Sequence, residues 1–135
     1  MTNILVVDDF KPFLEELSGL AAGNETAVFV AQSSGQAIDQ IRNRSFDLVI
    51  TDLFMESQTA EDGLSVVKAA KGDQFTQVIV VTAYGRPELS VETMRLGAFD
   101  YLERGTPGCN FRAMLQSKIR LALDYRAAKL ALAHS

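Results

Sequence analysis

The stretch FDLVITDLF, Phe46–Phe54, constrains this chain more than any other. Leu48, Val49 and Ile50 form a short continuous apolar run rich in branched side chains, and Asp52 stands where the run ends. A run with no polar alternation belongs to a strand covered on both faces, which is the condition of a central strand in a parallel sheet. An acid at the mouth of such a strand faces the crevice in which open α/β sheets bind their ligands. An acid that only caps a turn satisfies the same local pattern, so the remainder of the chain has to decide.

Four further segments repeat the theme at intervals that leave room for helices. Ile4–Val7 is an apolar run ending in Asp8 and Asp9, with Pro12 placed for the first turn of a helix that carries Phe13, Leu14, Leu17, Leu20 and Ala21 at helical spacing. Ala27–Val30 reads as a second strand. Ser33 and Ser34 offer capping oxygens to a second helix through Ala37, Ile38 and Ile41. After the central strand comes a polar loop, Glu56–Asp62, and a third helix from about Gly63. Val78–Val81 and Phe99–Leu102 are the fourth and fifth strands, separated by a helix that starts at Pro87 and stops near Gly97. From Asn110 onward the pattern is helical again. Strands alternating with helices imply a parallel sheet with helices on both faces and right-handed crossovers. The flavodoxin-like doubly wound (βα)5 order 2-1-3-4-5 is the expected topology, because it sets the two acid-tipped strands side by side at the switch point.

With 135 residues the chain makes one domain, and 47% apolar against 22% charged residues is an ordinary globular balance. A net charge of -4 argues against nucleic-acid binding by this domain. The single Cys109 rules out an internal disulfide and fits a reducing compartment. The N-terminus lacks a basic leader region and no segment has the length of a membrane span, so the expected location is cytoplasmic.

In the expected topology the strand ends bring Asp8, Asp9, Asp52, Thr82 and Arg104 to one edge. The first strand-to-helix turn, DDFKP, has no glycine fingerprint and is not built to cradle a dinucleotide. Crowded carboxylates resist ionising together unless a cation compensates them. An oxygen-only set of this kind suits Mg²⁺, which takes one or two carboxylates and keeps waters that a phosphate can replace. A helix cap and a favourable helix-dipole charge account for one of the two adjacent acids, Asp8 and Asp9, but poorly for both.

The segments VVDDF (Val6–Phe10), TDLFM (Thr51–Met55), Asp62-Gly63, VVTAYG (Val80–Gly85) and GAFDYL (Gly97–Leu102) together resemble the receiver domains of two-component response regulators, the CheY-like superfamily. None of these motifs is specific alone; their order along nearly the whole chain is. The resemblance implies that Asp52 is a phosphoacceptor, receiving a phosphoryl group from a histidine kinase or a histidine phosphotransfer protein. It implies Mg²⁺ held by Asp9, Asp52 and the backbone carbonyl of Phe54, with Asp8 acting through water. It implies that Thr82 hydrogen-bonds the phosphoryl group and that Tyr101 changes rotamer with it.

The chain departs from the family pattern in three places. Arg104 and Gly105 stand where the family has lysine and proline. Arginine keeps the charge but not the shape of an ammonium, and the Arg104–Gly105 bond is expected to be trans. The loop after Met55 is about three residues longer than usual and carries Glu56, either an added acid near the pocket or a solvated loop acid. Phe54 and Tyr84 are bulky neighbours of Asp52 and Thr82: they either hinder water from reaching an acyl phosphate or simply pack on the loop surface.

The last helix exceeds what the sheet requires, about 39 Å from Asn110 to the end. Residues 1–124 are expected to form the receiver and 125–135 an extension of the helix, serving as a dimer element, a connector to an output domain or a frayed tail. His134 receives no role. Two rival readings remain at this point: a degenerate receiver used as a phosphorylation-independent interaction or dimerisation module, and a small Mg²⁺-dependent phosphohydrolase, whose usual acid spacing and cap domain are missing. The expected activity is self-phosphorylation assistance rather than turnover of an external substrate.

Overall fold

A computed structural model describes residues 1–135. The strands are β1 (Thr2–Val7), β2 (Thr26–Ala31), β3 (Leu48–Thr51), β4 (Gln77–Thr82) and β5 (Asp100–Glu103). The helices are α1 (Lys11–Ala21), α2 (Ser34–Asn43), α3 (Glu61–Ala70), α4 (Pro87–Arg95) and α5 (Phe111–Ala133). All pairings are parallel and the sheet order is β2-β1-β3-β4-β5, the expected doubly wound topology. Every residue of β3 and β4 is buried, which is why these two strands carry no polar alternation.

The sheet sorts its side chains by parity. Ile4, Val6, Leu48, Ile50, Ile79 and Val81 face α1 and α5, meeting Leu14, Leu17, Leu115 and Ile119. Leu5, Val7, Val49, Val78 and Val80 face the other way, toward Leu64, Val66, Val67 and Leu89. Successive strand residues thus enter opposite cores, as the period of two requires.

Local chemistry sets the helix starts. Ser33 caps α2, its hydroxyl accepting from the Gln36 N–H at 3.1 Å. Asn110 caps α5 through the Ala113 N–H at 3.1 Å. Neither Asp8 nor Asp9 caps α1; its N-cap is Phe10, without a side-chain bond, and Pro12 sits in the first turn. The capping explanation for the paired acids is therefore set aside.

Contacts of α5 with the body run past Asp124. Arg126 pairs with Asp47 at 2.7 Å, Lys129 Nζ donates to the Gln74 carbonyl at 2.8 Å, and Tyr125 lies 5.7 Å from the Phe99 ring. These residues brace the N-terminal end of the sheet. Leu132, beyond them, is exposed. No helix is long and apolar enough to cross a membrane.

Candidate functional site

Parallel pairing carries the two acid-tipped strands to the same edge. Val7 pairs with Thr51, and the Asp52 N–H donates to the Val7 carbonyl at 3.0 Å, so Asp52 begins where Asp8 begins. Carboxylate oxygens of Asp8, Asp9 and Asp52 lie within 4.8 Å of one another. They open onto a cavity of about 370 Å³ whose lining also includes Phe10, Phe13, Phe54, Tyr84 and Arg104. A larger cavity of about 440 Å³ lies between α2 and α3, but its charged side chains are Arg42, Arg44 and Asp73, without converging acids.

The acids are held in an uncomfortable state. Burial is the main force on Asp8, raising it from the usual 3.8 to about 6; the Phe10 N–H opposes this, Asp9 adds to it and Arg104 opposes it. Burial likewise leads for Asp52, raised from 3.8 to about 6, with Asp8 next, the Leu53 and Phe54 N–H groups opposing, and Asp9 adding a smaller push. A cation among the three would relieve both the desolvation and the repulsion. The donor set, carboxylate oxygens only, fits a hard divalent ion.

The backbone beneath Asp52 depends on Asp62-Gly63. Asp62 is buried and accepts from the Met55 N–H at 3.1 Å, the Ser57 N–H at 2.9 Å and the Ser57 hydroxyl at 2.6 Å, folding the long loop back on itself. Gly63 lets α3 press on the end of β3: a Cβ there would sit 2.2 Å from the Asp52 carbonyl oxygen and 2.4 Å from the Leu53 Cα. Its N–H donates to the Leu53 carbonyl at 2.9 Å.

That loop also decides between the two readings of Glu56: it is an exposed loop acid, turned away from the acid cluster and bonded at the start of α2. Its carboxylate accepts from the Ser34 N–H at 3.1 and 3.0 Å and from the Ser34 hydroxyl at 2.5 Å, closing the loop onto the start of α2. Partial burial pushes Glu56 upward, but the Ser34 and neighbouring backbone donors outweigh it and the net shift is downward. Negative charge at a helix N-terminus explains the placement.

Six of the sequence-predicted residues, Asp8, Asp9, Asp52, Phe54, Tyr84 and Arg104, surround the cavity. Thr82 does not line it directly. It sits between the lining residues Val81 and Ala83, buried, with its hydroxyl accepting from the Tyr84 N–H at 3.2 Å. Tyr101 lies in a neighbouring cleft with Arg86 and Pro87, its hydroxyl accepting from the Arg86 N–H at 3.3 Å. Phe54 and Tyr84 meet edge to face at 5.9 Å, so they both line the cavity and pack on each other.

The arrangement matches the order and spacing expected of one family, whose description, Response regulator receiver domain, applies over residues 4–116. The chain belongs to the response regulator receiver family. Transcriptional regulatory protein ZraR of Escherichia coli is 36% identical over 118 residues, covering 87% of this chain but 26% of that protein. Transcriptional regulatory protein FixJ of Bradyrhizobium diazoefficiens is 30% identical over 121 residues, 89% of this chain and 58% of its own length. This receiver therefore spans about a quarter of ZraR and rather more than half of FixJ. Among solved structures, a CheY-like response regulator receiver domain protein from Methanospirillum hungatei superposes with a TM-score of 0.82 at 25% identity, covering 96% of this chain and 98% of that one.

The receiver's departures from the family pattern now have geometry. The chain has no cis peptide bond, so Arg104–Gly105 is trans as expected, and Gly105 takes a left-handed φ of 73°. Arg104 is not free: its Nη1 lies 2.6 Å from Glu16 Oε1, and its guanidinium lies over the rings of Phe13 at 3.9 Å and Phe111 at 4.6 Å. Bonding to Arg104 leads the forces that hold Glu16 below its ordinary value. Sequence reading missed Glu16. The signal was present in the three-residue step from Phe13 to Glu16, which puts an aromatic and an acid on one helix face.

Proposed function

We propose that this receiver accepts a phosphoryl group on Asp52 from a histidine kinase or histidine phosphotransfer protein and uses the acyl phosphate to switch its protein contacts. The observation that carries this reading is the convergence of Asp8, Asp9 and Asp52 within 4.8 Å at a cavity that also holds an arginine. That assembled set also speaks against the degenerate-module reading.

An Asp52 carboxylate oxygen attacks phosphorus as the donor's P–N bond breaks, and the imidazole leaves with a proton from solvent. Asp9 and Asp52, with the Phe54 carbonyl and with Asp8 through water, would hold Mg²⁺, which would offset negative charge on the carboxylates and the phosphoryl oxygens. Buried donors aimed at developing charge do the remaining work. The Thr82 hydroxyl accepts from Tyr84 and keeps its proton for a phosphoryl oxygen. Tyr101, anchored through Arg86, follows Thr82 and transmits its movement to the start of α4. Hydrolysis by water at phosphorus returns Asp52 and inorganic phosphate, and Phe54 with Tyr84 slows that step by covering the approach. The receiver thus acts on itself, and α5 is the segment through which an output domain or a second copy is reached.

Intact-protein mass spectrometry after incubation with Mg²⁺ and a small phosphodonor tests the reading. One phosphate adduct in the native chain, absent in Asp52→Asn, is expected; no adduct with either a small donor or a partner kinase contradicts it. Following adduct loss in a Phe54→Ser, Tyr84→Ser double variant tests the cover, with faster hydrolysis expected and an unchanged rate sinking it.

A further inference from the structure

The two ends of the Arg104 guanidinium are in different states. Nη1 is bonded to Glu16 Oε1 at 2.6 Å, and the second Glu16 oxygen is bonded to Arg112 Nη1 at 3.2 Å. Nη2 is buried and has no hydrogen-bond partner in the protein. The side chain is 12% exposed, its guanidinium lies against the Phe13 and Phe111 rings, and it lines the same cavity as Asp8, Asp9 and Asp52. A buried charged donor left unpaired is costly, so a fold that leaves one beside a binding cavity is equipped for an acceptor that arrives there.

Lysine has one compact ammonium, and pairing it with a glutamate would commit its charge. Arginine's planar fork separates two donor ends, so one can be anchored while the other remains available. Here the anchor is itself fixed, because Arg112 on α5 holds the other oxygen of the Glu16 carboxylate. We propose that Glu16 is a positioning residue for phosphoryl binding: it holds one end of Arg104 beside the cavity so that the other end, Nη2, closed off without a ligand, needs only a local shift to meet an oxygen of the phosphoryl group on Asp52. This rests on Asp52 being the phosphoacceptor. The benefit is preorganisation, since the donor is oriented before the ligand arrives. The opposite function for the same ion pair is restraint, in which Glu16 withholds Arg104 and its removal tightens binding.

Beryllofluoride, a phosphoryl mimic, separates the two when titrated with Mg²⁺ into the full chain and followed by fluorine NMR. The set is native protein, Glu16→Gln, Arg104→Ala and the double variant, with thermal melts as the check on folding; Glu16→Asp carries the same test if the glutamine variant does not fold. Glu16→Gln is expected to weaken binding by about threefold to tenfold, the range of a disturbed charge-assisted hydrogen bond. Arg104→Ala weakens it at least as much, and the double variant is no worse than Arg104→Ala alone. That non-additivity is the decisive readout, because a Glu16 that only supported the fold would cost the same in both backgrounds. Unchanged or tighter binding by Glu16→Gln, or an equal loss in the Arg104→Ala background, overturns the inference while leaving Asp52 as acceptor. No adduct in the native protein overturns both.

Discussion

The two ends of the sheet treat acidic side chains in opposite ways. At the N-terminal end, Asp47 is paired with Arg126 at 2.7 Å and accepts the Asn3 N–H at 2.6 Å, and Asp100 is paired with Lys118 at 2.8 Å. At the C-terminal end, a buried Asp8 and a half-buried Asp52 lie beside each other and beside Asp9, and the one cation lining their cavity, Arg104, has one end of its guanidinium paired with Glu16. The first arrangement ties α5 to the sheet and stabilises the fold. The second costs stability and stores binding capacity. One sheet thus carries settled and crowded charges at opposite ends of its strands, and α5 ties down the settled end through Lys118, Arg126 and Lys129.

The largest expected effect tests the support under the functional end. Gly63→Val forces a side chain into the Asp52 carbonyl and Leu53 backbone, and urea denaturation is expected to show a loss of about 2–4 kcal/mol. An unperturbed midpoint would mean that α3 does not press on β3 as described. Next is the settled end. Asp47→Ala strands Arg126 and the Asn3 N–H, and is expected to destabilise by about 1–3 kcal/mol. Smallest, and opposite in sign, is Asp8→Asn, which keeps an acceptor for the Phe10 N–H but removes one of three crowded charges. In metal-free buffer near neutral pH it is expected to stabilise by about 1 kcal/mol. If both acid removals destabilise equally, the contrast between the two ends fails.

The architecture was legible in the sequence because it follows from a coarse signal. Apolar runs such as Leu48–Ile50 and Val78–Val81 have to be strands covered on both faces, and acids at Asp8 and Asp52 can share an edge only when β1 and β3 are neighbours. The acid cluster was legible for the same reason, being fixed by backbone register. Contacts set by long side chains across sequence were not. Glu16 meets Arg104 across 88 positions: the Phe13–Glu16 step places the acid on a helix face, but nothing in it names the distant partner. Glu56 was legible as an exposed loop acid but its partner Ser34 was not, because the loop after Met55 turns toward α2 with three donors converging on Asp62. The partners of α5 were not legible either, because nothing in a helical pattern tells that Asp47 and the Gln74 carbonyl lie beneath Arg126 and Lys129.

The central proposal is that the acid-tipped edge is only partly compensated by the protein, Arg104 easing Asp8, and that a cation would complete it. Both Asp8 and Asp52 are raised from 3.8 to about 6, so the folded state holds their protons more tightly than the unfolded chain does. Their contribution is then fully present below about pH 4 and lost as pH rises through about 6. Folding stability by denaturant titration, measured from pH 4 to 7.5 with Mg²⁺ and with sodium at matched ionic strength, tests this directly. A decline across that window in sodium, largely restored by Mg²⁺ and reduced in Asp8→Asn, is the predicted result. A flat sodium profile, or one that Mg²⁺ leaves unchanged, would contradict the account.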